Sequence, residues 1–394
     1  MIDLKYIIDT VEKPVSGEWG NSPANGPLIK VIRNTNFNND GSLNLTAVVE
    51  REIPMSKISR KKLKYGDILI EKSGGSPNQP VGRVVFFNKS EGDFLFSNFT
   101  SLLRPRKEVD QKYLFYLLYA NHLFKKTLSF QNKTTGILNL QLDRYLKEIK
   151  IPVPLFSDQK RIATILDYAY DIRCKNKEIL EKHNQLAKST FLQLSESENS
   201  KKMFLKDICH INPRKSEAAL LDKNTSVSFI PMTNVTEDGR VNLSLERELR
   251  EVWNGFTYFI EGDVLFAKIT PCMENGKGAI VKNLKNNIGF GSTEFHVLRP
   301  IKDKSNSTWL YYLTSSSKFR KQAEKNMTGS AGQKRVPTNF LLTYEVSLPS
   351  ISIQNRFEEA IKKIDVQKEL TQKTLDKSED LFQSLLKRAF KGKL

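Results

Sequence analysis

The chain has 394 residues, 62 Lys+Arg against 44 Asp+Glu for a net charge of +18, and 39% apolar residues. That length calls for at least two hydrophobic cores, and the apolar fraction excludes a disordered polycation. The longest apolar run, Tyr113 to Ala120, is too short to cross a bilayer, the N-terminal residues lack the apolar stretch of a signal peptide, and three scattered cysteines (Cys174, Cys209, Cys272) suit a reducing compartment, so a cytoplasmic protein without disulfides or structural zinc is expected.

In chain order, residues 1 to about 150 alternate short β-rich runs with turn signals at Asp40-Gly41 and Gly74-Gly75, which predicts a mixed α+β globule. Gly66-Asp67 sits just before an apolar strand. The Tyr/Leu-rich stretch near 113 to 128 has helical spacing. Pro152 and Pro154 then interrupt the chain, and a proline-free segment runs from Asp158 to about Asn199. Within it Ile165, Ile172, Ile179 and Leu186 fall seven apart, with Ala169, Asn176, His183 and Thr190 four residues after each. This spacing predicts a coiled-coil seam along a helix ~60 Å long.

From residue 200 the same order returns. Asn36, Asp40-Gly41 and Asn44-Leu45 recur as Asn234, Asp238-Gly239 and Asn242-Leu243. Gly66-Asp67 recurs as Gly262-Asp263, Leu103-Arg104-Pro105 as Leu298-Arg299-Pro300, and Tyr116-Leu117 as Tyr312-Leu313. Pro154, Gln159 and Arg161 recur as Pro349, Gln354 and Arg356. The offset drifts by only three residues across these landmarks, so the chain is a tandem repeat of one unit of about 195 residues. A second proline-free segment follows from Ser352, with Phe357, Ile364, Thr371, Ser378 and Leu385 at heptad spacing, joined by Ile361, Lys368, Leu375, Phe382 and Ala389. Four segments result: globules at 1–150 and 200–347, and helical segments at 151–199 and 348–394. The expected seam residues are Ile165, Ile172, Ile179, Leu186, Phe357, Ile361, Ile364, Leu375, Phe382 and Leu385.

The charge is unevenly placed. Residues 158 to 199 are neutral overall and residues 352 to 394 carry +3, which leaves +15 on the two globules. A general lysine bias would load the exposed helices at least as heavily, so the excess points to a nucleic-acid surface. Recognisable catalytic motifs are missing. Gly289-Phe-Gly291 lacks the third glycine of a dinucleotide turn, Gly276-Lys277 lacks the rest of a phosphate loop, Asn212-Pro213 is followed by Arg214 rather than the second proline of an amino-methyltransferase motif, and the four histidines have no metal-ligand spacing. Candidates for base and phosphate contact are the loops where polar, flexible and basic residues coincide. In the first globule these are Lys72, Ser73, Asn78, Gln79 and Arg83, with Asn132, Lys133, Thr134 and Thr135. In the second they are Lys268, Thr270, Asn275 and Lys277, with Thr328, Gln333, Lys334 and Arg335. Asn and Gln can pair with adenine and Arg or Lys with guanine, whereas Tyr116 and Tyr312 read as core residues.

The order of globule, Pro-containing stretch with Gln159 and Arg161, long helix, second globule, Pro349 with Gln354 and Arg356, and second helix resembles the specificity subunits of type I restriction-modification systems. Val31 to Asn36, Tyr65 to Lys72 and Gly291 to Phe295 are similar to recurrent pieces of their recognition domains. The resemblance implies two target recognition domains related by a pseudo-two-fold axis and separated by two long antiparallel coiled-coil helices. It further implies a non-catalytic subunit that reads a bipartite double-stranded DNA site, docks two methyltransferase subunits through its helices, and works with restriction subunits. S-adenosylmethionine would be held by the methyltransferase, and ATP and Mg by the restriction subunit. A stand-alone nucleic-acid-binding regulator is the alternative, and an enzyme with an unfamiliar active site, such as a nuclease, is a more distant one.

Overall fold

The computed structural model describes residues 3–24, 26–134, 136–195, 200–330 and 332–394. The chain forms two compact units, the first from residues 1–177 with 373–394 and the second from 178–372. Each unit is therefore one globule plus half of each long helix.

In the first unit, Val15–Ser16, Thr100–Leu103, Ile68–Glu71 and Val84–Phe86 make an antiparallel sheet in that spatial order. The two inner strands are buried on both faces, which is why Ile68-Leu-Ile70 reads as a continuous apolar run. A second sheet orders Val49–Glu52, Leu28–Ile32 and Phe94–Phe96, the last two parallel. A third joins the hairpin Gln131–Thr134/Ile137–Leu140 to Ser73–Gly75. Asp3–Tyr6 pairs with Lys150–Val153, so the start of the globule is clasped to the residues that lead into the first long helix.

The second unit repeats this plan. Cys209–Ile211, Phe295–Pro300, Val264–Ala267 and Gly278–Ile280 form the equivalent sheet in the equivalent order. Glu246–Glu248, Ser226–Ile230, Ile288–Gly291 and Thr257–Ile260 form the second, again with a parallel pair, Ser226–Ile230 and Ile288–Gly291. Lys201–Phe204 pairs with Glu345–Leu348 as the matching clasp.

A helix at Gln111–Leu123 lies between sheet and long helices in the first unit, and Ser307–Ser315 corresponds to it in the second. Asp110 caps the first, its carboxylate accepting from the Tyr113 N–H at 2.9 Å, and Asn306 caps the second, accepting from the Trp309 N–H at 2.8 Å. Residues 113 to 121 are buried all round, Tyr116 among them, because the helix is covered on both sides. Tyr312 is half-buried, with its ring 5.1 Å from that of Phe357.

The long helices run Phe156–Ser195 and Ile351–Phe390. In the first unit they are antiparallel, since Arg161 bonds the Leu394 carbonyl at 3.2 Å while Asn176 reaches Ser378 at 3.4 Å. Their seam there buries Ile162, Leu166, Ala169 and Arg173 against the globule and against Phe382, Leu386 and Ala389. In the second unit Ala187 and Phe191 pack with Phe357, Ile361 and Trp309, and Ile364 lies at the edge of that core. Leu375 and Leu385 are half-buried in the first unit.

The expected register of the first helix is off by one residue. Ile165 is half-buried, and Ile172, Ile179 and Leu186 are 49%, 42% and 51% exposed, while Leu166, Arg173 and Ala187 face inward. Two adjacent heptad registers fit this segment, and the inward one contains an arginine. Arg173 is buried because its guanidinium lies 4.5 Å from the Phe382 ring centroid and 4.9 Å from that of Tyr170, with Glu379 oxygens at 3.4 Å.

Candidate nucleic-acid interface

The repeated sequence landmarks turn out to be bonds. Asp67, at the foot of its strand, accepts both arms of Arg104 at 2.7 Å, and its carboxylate also takes the Lys64 N–H. Asp263 accepts both arms of Arg299 at 2.9 Å and takes the Ile260 N–H. Burial pushes the Asp263 carboxyl up from its ordinary value even though Arg299 pulls it down. Asn36 and Asn44 exchange bonds, the Asn36 side chain donating to the Asn44 carbonyl at 3.0 Å and the Asn44 N–H to the Asn36 carbonyl at 2.8 Å. Asn234 and Asn242 do the same at 3.0 and 2.9 Å.

Gln159 and Gln354 are the joints between globule and helix. The side-chain oxygen of Gln159 accepts from the Asp110 N–H, and its amide NH₂ donates to the carbonyls of Pro154 and Glu108. Gln354 accepts from the Asn306 N–H and donates to the carbonyls of Pro349 and Lys304. Both side chains are almost wholly buried. A Pro-x₄-Gln spacing therefore carries one donor and one acceptor function that lock the first turn of each long helix to the cap of the globule's own helix.

Lys72 and Lys268 follow the central strand of their units and hold the same place. The Lys72 N–H bonds the Phe99 carbonyl and its carbonyl takes the Leu140 N–H; Lys268 does likewise with Glu294 and Val336. Both ammonium groups are half-buried, and burial is the main cause pushing each down from its usual value, helped by Lys61 in the first unit and by Arg335 in the second, where Glu294 opposes it. Among the described residues no carboxylate lies within 4 Å of either ammonium.

The structure brings the candidate loops of each unit together around these lysines. In the first unit the strand Ser73–Gly75 pairs with the 131–140 hairpin, and the Ser73 hydroxyl donates to Asn139 at 2.6 Å. Asn78 and Asn132 are exposed; of Lys133 and Thr134 only the backbone is described, and Thr135 lies outside the described residues. In the second unit Arg335 bridges Ile269 and Thr328, and the Thr270 N–H bonds the Lys334 carbonyl. Asn275, Gln333 and Lys334 are exposed, Thr270 donates to Glu274, and Lys277 to the Met232 carbonyl.

Two of the candidate arginines are already engaged. Arg83 is buried, with Glu71 gripping its Nε and Nη2 at 2.9 and 2.8 Å and the carbonyls of Phe37 and Asn34 taking further N–H groups. Arg335 is paired bidentately with Glu294 at 2.9 and 2.8 Å. Neither guanidinium offers the free fork that a guanine contact needs, because a carboxylate on another strand or loop has taken it.

Each unit has an open pocket, which in the second is lined by Lys268 itself. The first, about 470 Å³, is lined by amides: Asn34, Asn38, Asn39 and Gln79 above Glu71 and Arg83. The second, about 440 Å³, is lined by cations and rings, including Arg214, Lys215, Lys268, Tyr258 and His296. The sequence reading missed Asn34, Asn39, Arg214 and Lys215; the only signal was their position near strand ends. His296 is held neutral, its value pushed down to about 4 chiefly by burial, with ring nitrogens 2.8 Å from the Val336 carbonyl and 3.1 Å from Asn212. Among the described residues no group of three or more His, Cys, Asp or Glu could hold a metal, and no helix is long and apolar enough to cross a membrane.

A duplicated α+β domain with half of each long helix in each copy defines a tandem-repeat fold. The family described as type I restriction modification DNA specificity domain matches residues 19–184 and again 197–379, and the chain belongs to it. It is 38% identical over 185 residues to the type I restriction enzyme EcoAI specificity subunit of Escherichia coli, covering 45% of this chain and 31% of that one. It is 25% identical over 371 residues to the MjaVIII specificity subunit of Methanocaldococcus jannaschii, covering 86% and 82%. Its fold matches that of the type I restriction-modification S subunit from M. genitalium at a TM-score of 0.56 and 13% identity, over 99% and 96% of the two chains. The chain thus spans about a third of the length of the E. coli relative it matches.

Proposed function

We propose that this chain is the DNA-recognition subunit of a type I restriction-modification complex, each globule reading one half of a bipartite duplex site. The observation that carries this reading is the pair Lys72 and Lys268: equivalent half-buried ammonium groups, neither with a carboxylate within 4 Å among the described residues, the first bonded to the Ser16 hydroxyl and the second lining an open pocket with Arg214 and Lys215. A partly desolvated cation with no carboxylate in direct contact gains from an anion that arrives with a ligand, and a phosphate is the anion duplex DNA supplies. Phosphate contacts fix register, while the differing pockets supply the sequence-dependent part.

The helices space the two globules, and their outer faces dock the methyltransferase subunits. Exposed aliphatics at Ile172 in the first unit and at Ile179 and Leu186 in the second favour such docking, since they are apolar yet outside the seam. S-adenosylmethionine and the chemistry of adenine methylation belong to those partners, and ATP-driven cleavage with Mg to restriction subunits. The complex works in the cytoplasm, where its DNA is.

The test is to map adenine methylation in cells expressing this chain with its methyltransferase subunit. A two-part motif with a fixed gap is expected, and exchanging residues 1–150 for those of a relative should change one part only. A continuous motif, or a change in both parts, would overturn the reading. Specific binding of a split duplex without any methyltransferase would favour a stand-alone regulator instead. Lys72→Ala and Lys268→Ala should each weaken DNA binding evenly across sequences and lower the salt slope by about 1.

A further inference from the structure

The amide-lined pocket of the first unit has a polarity that the side chains cannot change freely. Arg83 forms its floor, and a guanidinium has five N–H donors and no acceptor. Any amide that meets it must turn its oxygen inward. The Gln79 amide meets Arg83 at 2.8 Å from Nη1 and 3.1 Å from Nη2, and because a guanidinium can only donate, the amide atom there is assigned as the oxygen. The oxygen of Asn39 also faces Nη1, at 3.5 Å. Arg83 is itself immobilised by the bidentate Glu71 pair and by the Phe37 and Asn34 carbonyls. The turn that carries Gln79 is fixed by reciprocal backbone bonds between Ser76 and Gln79 and by the Ser76 hydroxyl. The exposed end of Gln79 is therefore an NH₂ group with donors only.

A freely rotating glutamine reads adenine, because it offers a donor to N7 and an acceptor to the N6 amine. With its oxygen sequestered, Gln79 loses the acceptor half of that code. The edge that remains complementary is one made of acceptors, N7 and O6 of guanine. Resting on the DNA-reading function proposed above, we propose that Gln79 is a specificity-determining residue that selects guanine over adenine in the half-site read by the first globule, with Arg83 as the positioning residue that sets its polarity. The adenine pairing expected of a glutamine is reversed by a neighbour rather than by the residue itself.

The experiment uses the whole complex and reads the methylation motif. For Gln79→Ala, one guanine position in one half-site should relax, losing about ten- to a hundred-fold of discrimination, while every other position keeps its base. For Arg83→Lys, which retains a charge for Glu71 but frees the amide to rotate, that same position should accept adenine as well as guanine. The intact second half-site reports assembly, and the intact remainder of the first reports that the globule is folded. An unchanged motif in Gln79→Ala, relaxation at an A·T pair, or an even loss of methylation with no change of motif, as a phosphate contact would give, overturns the proposal. If the parent complex yields no two-part motif at all, it is the DNA-reading function that fails instead.

Discussion

In the first unit Asp67 grips Arg104 and Gln159 closes the turn at Asp110; in the second Asp263 grips Arg299 and Gln354 closes the turn at Asn306. Beside Lys72 the first unit sets a three-stranded sheet and a pocket of amides. Beside Lys268 the second has no such sheet among the described residues, only the bridges of Arg335 to Ile269 and Thr328, and its pocket is cationic. The bonds that build the domain are duplicated and the side chains that face outward are not. The proposed reading of two different half-sites with one scaffold needs that division, because buried polar groups must be satisfied in both copies while base contacts must differ.

If the frame is shared, damage to it should stay local to the copy it strikes. The largest effect is expected for Asp67→Ala, which leaves a half-buried arginine without its bidentate partner, and the next for Asp263→Ala, where Arg299 keeps Glu217 at 2.8 Å. The first should destabilise its own unit by about 3–5 kcal/mol and the second by less, each read as faster hydrogen exchange confined to that unit. Loss of protection in both units from either change would break the comparison.

Gln159→Ala and Gln354→Ala remove one acceptor and two donor contacts from buried backbone. A loss of about 3 kcal/mol is expected for each, from orphaned groups at ~1–3 kcal/mol apiece, seen as a lower denaturant midpoint. Unequal losses would mean that the two joints are not equivalent.

Acid should weaken both units. His122 in the first and His296 in the second are each pushed down to about 4, mainly by burial. Their unfolded forms bind a proton near pH 6.5, so the folded state is favoured fully above that value and loses the advantage as pH falls towards 4. About 2 kcal/mol per histidine should be gone by pH 5, and His296→Gln should flatten the dependence in the second unit alone. A slope unchanged by that substitution would show that His296 is protonated in the folded protein.

The smallest effects test the helix register. Ile172→Ser and Ile179→Ser should each cost well under about 1.5 kcal/mol, since nearly half of each side chain is exposed and neither lies in the seam, whereas Phe191→Ala, in the seam of the second unit, should cost about 3–5 kcal/mol. A large loss at Ile179 would restore the register that the heptad spacing first suggests.

Much of the frame was legible before folding. The landmarks that defined the repeat, Gly-Asp, Leu-Arg-Pro and Pro-x₄-Gln, are the residues that make the frame bonds, and on the second helix Phe357, Ile361 and Phe382 are buried. The first-helix register was less so, because aliphatic residues mark two neighbouring stripes and the inward one holds Arg173. The candidate interface was legible as loops but not as chemistry. Nothing near Arg83 in the sequence announces that it would pair with Glu71, and nothing near Arg335 points to Glu294, 41 residues away.

Sequence alone determined that one domain occurs twice, where the apolar strand after each Gly-Asp and the two long helices lie, and that the charge excess sits on the globules, because recurrence, periodicity, proline placement and net charge can be read from the chain without its folding. Only the tertiary structure decided which polar groups remain available. An arginine or glutamine is a reader or a brace according to the partners that folding brings within about 3 Å, whether from the paired strand, as Glu71 for Arg83, or from farther along the chain, as Glu294 for Arg335. At Gln79 that choice extends to which atom of the amide faces outward.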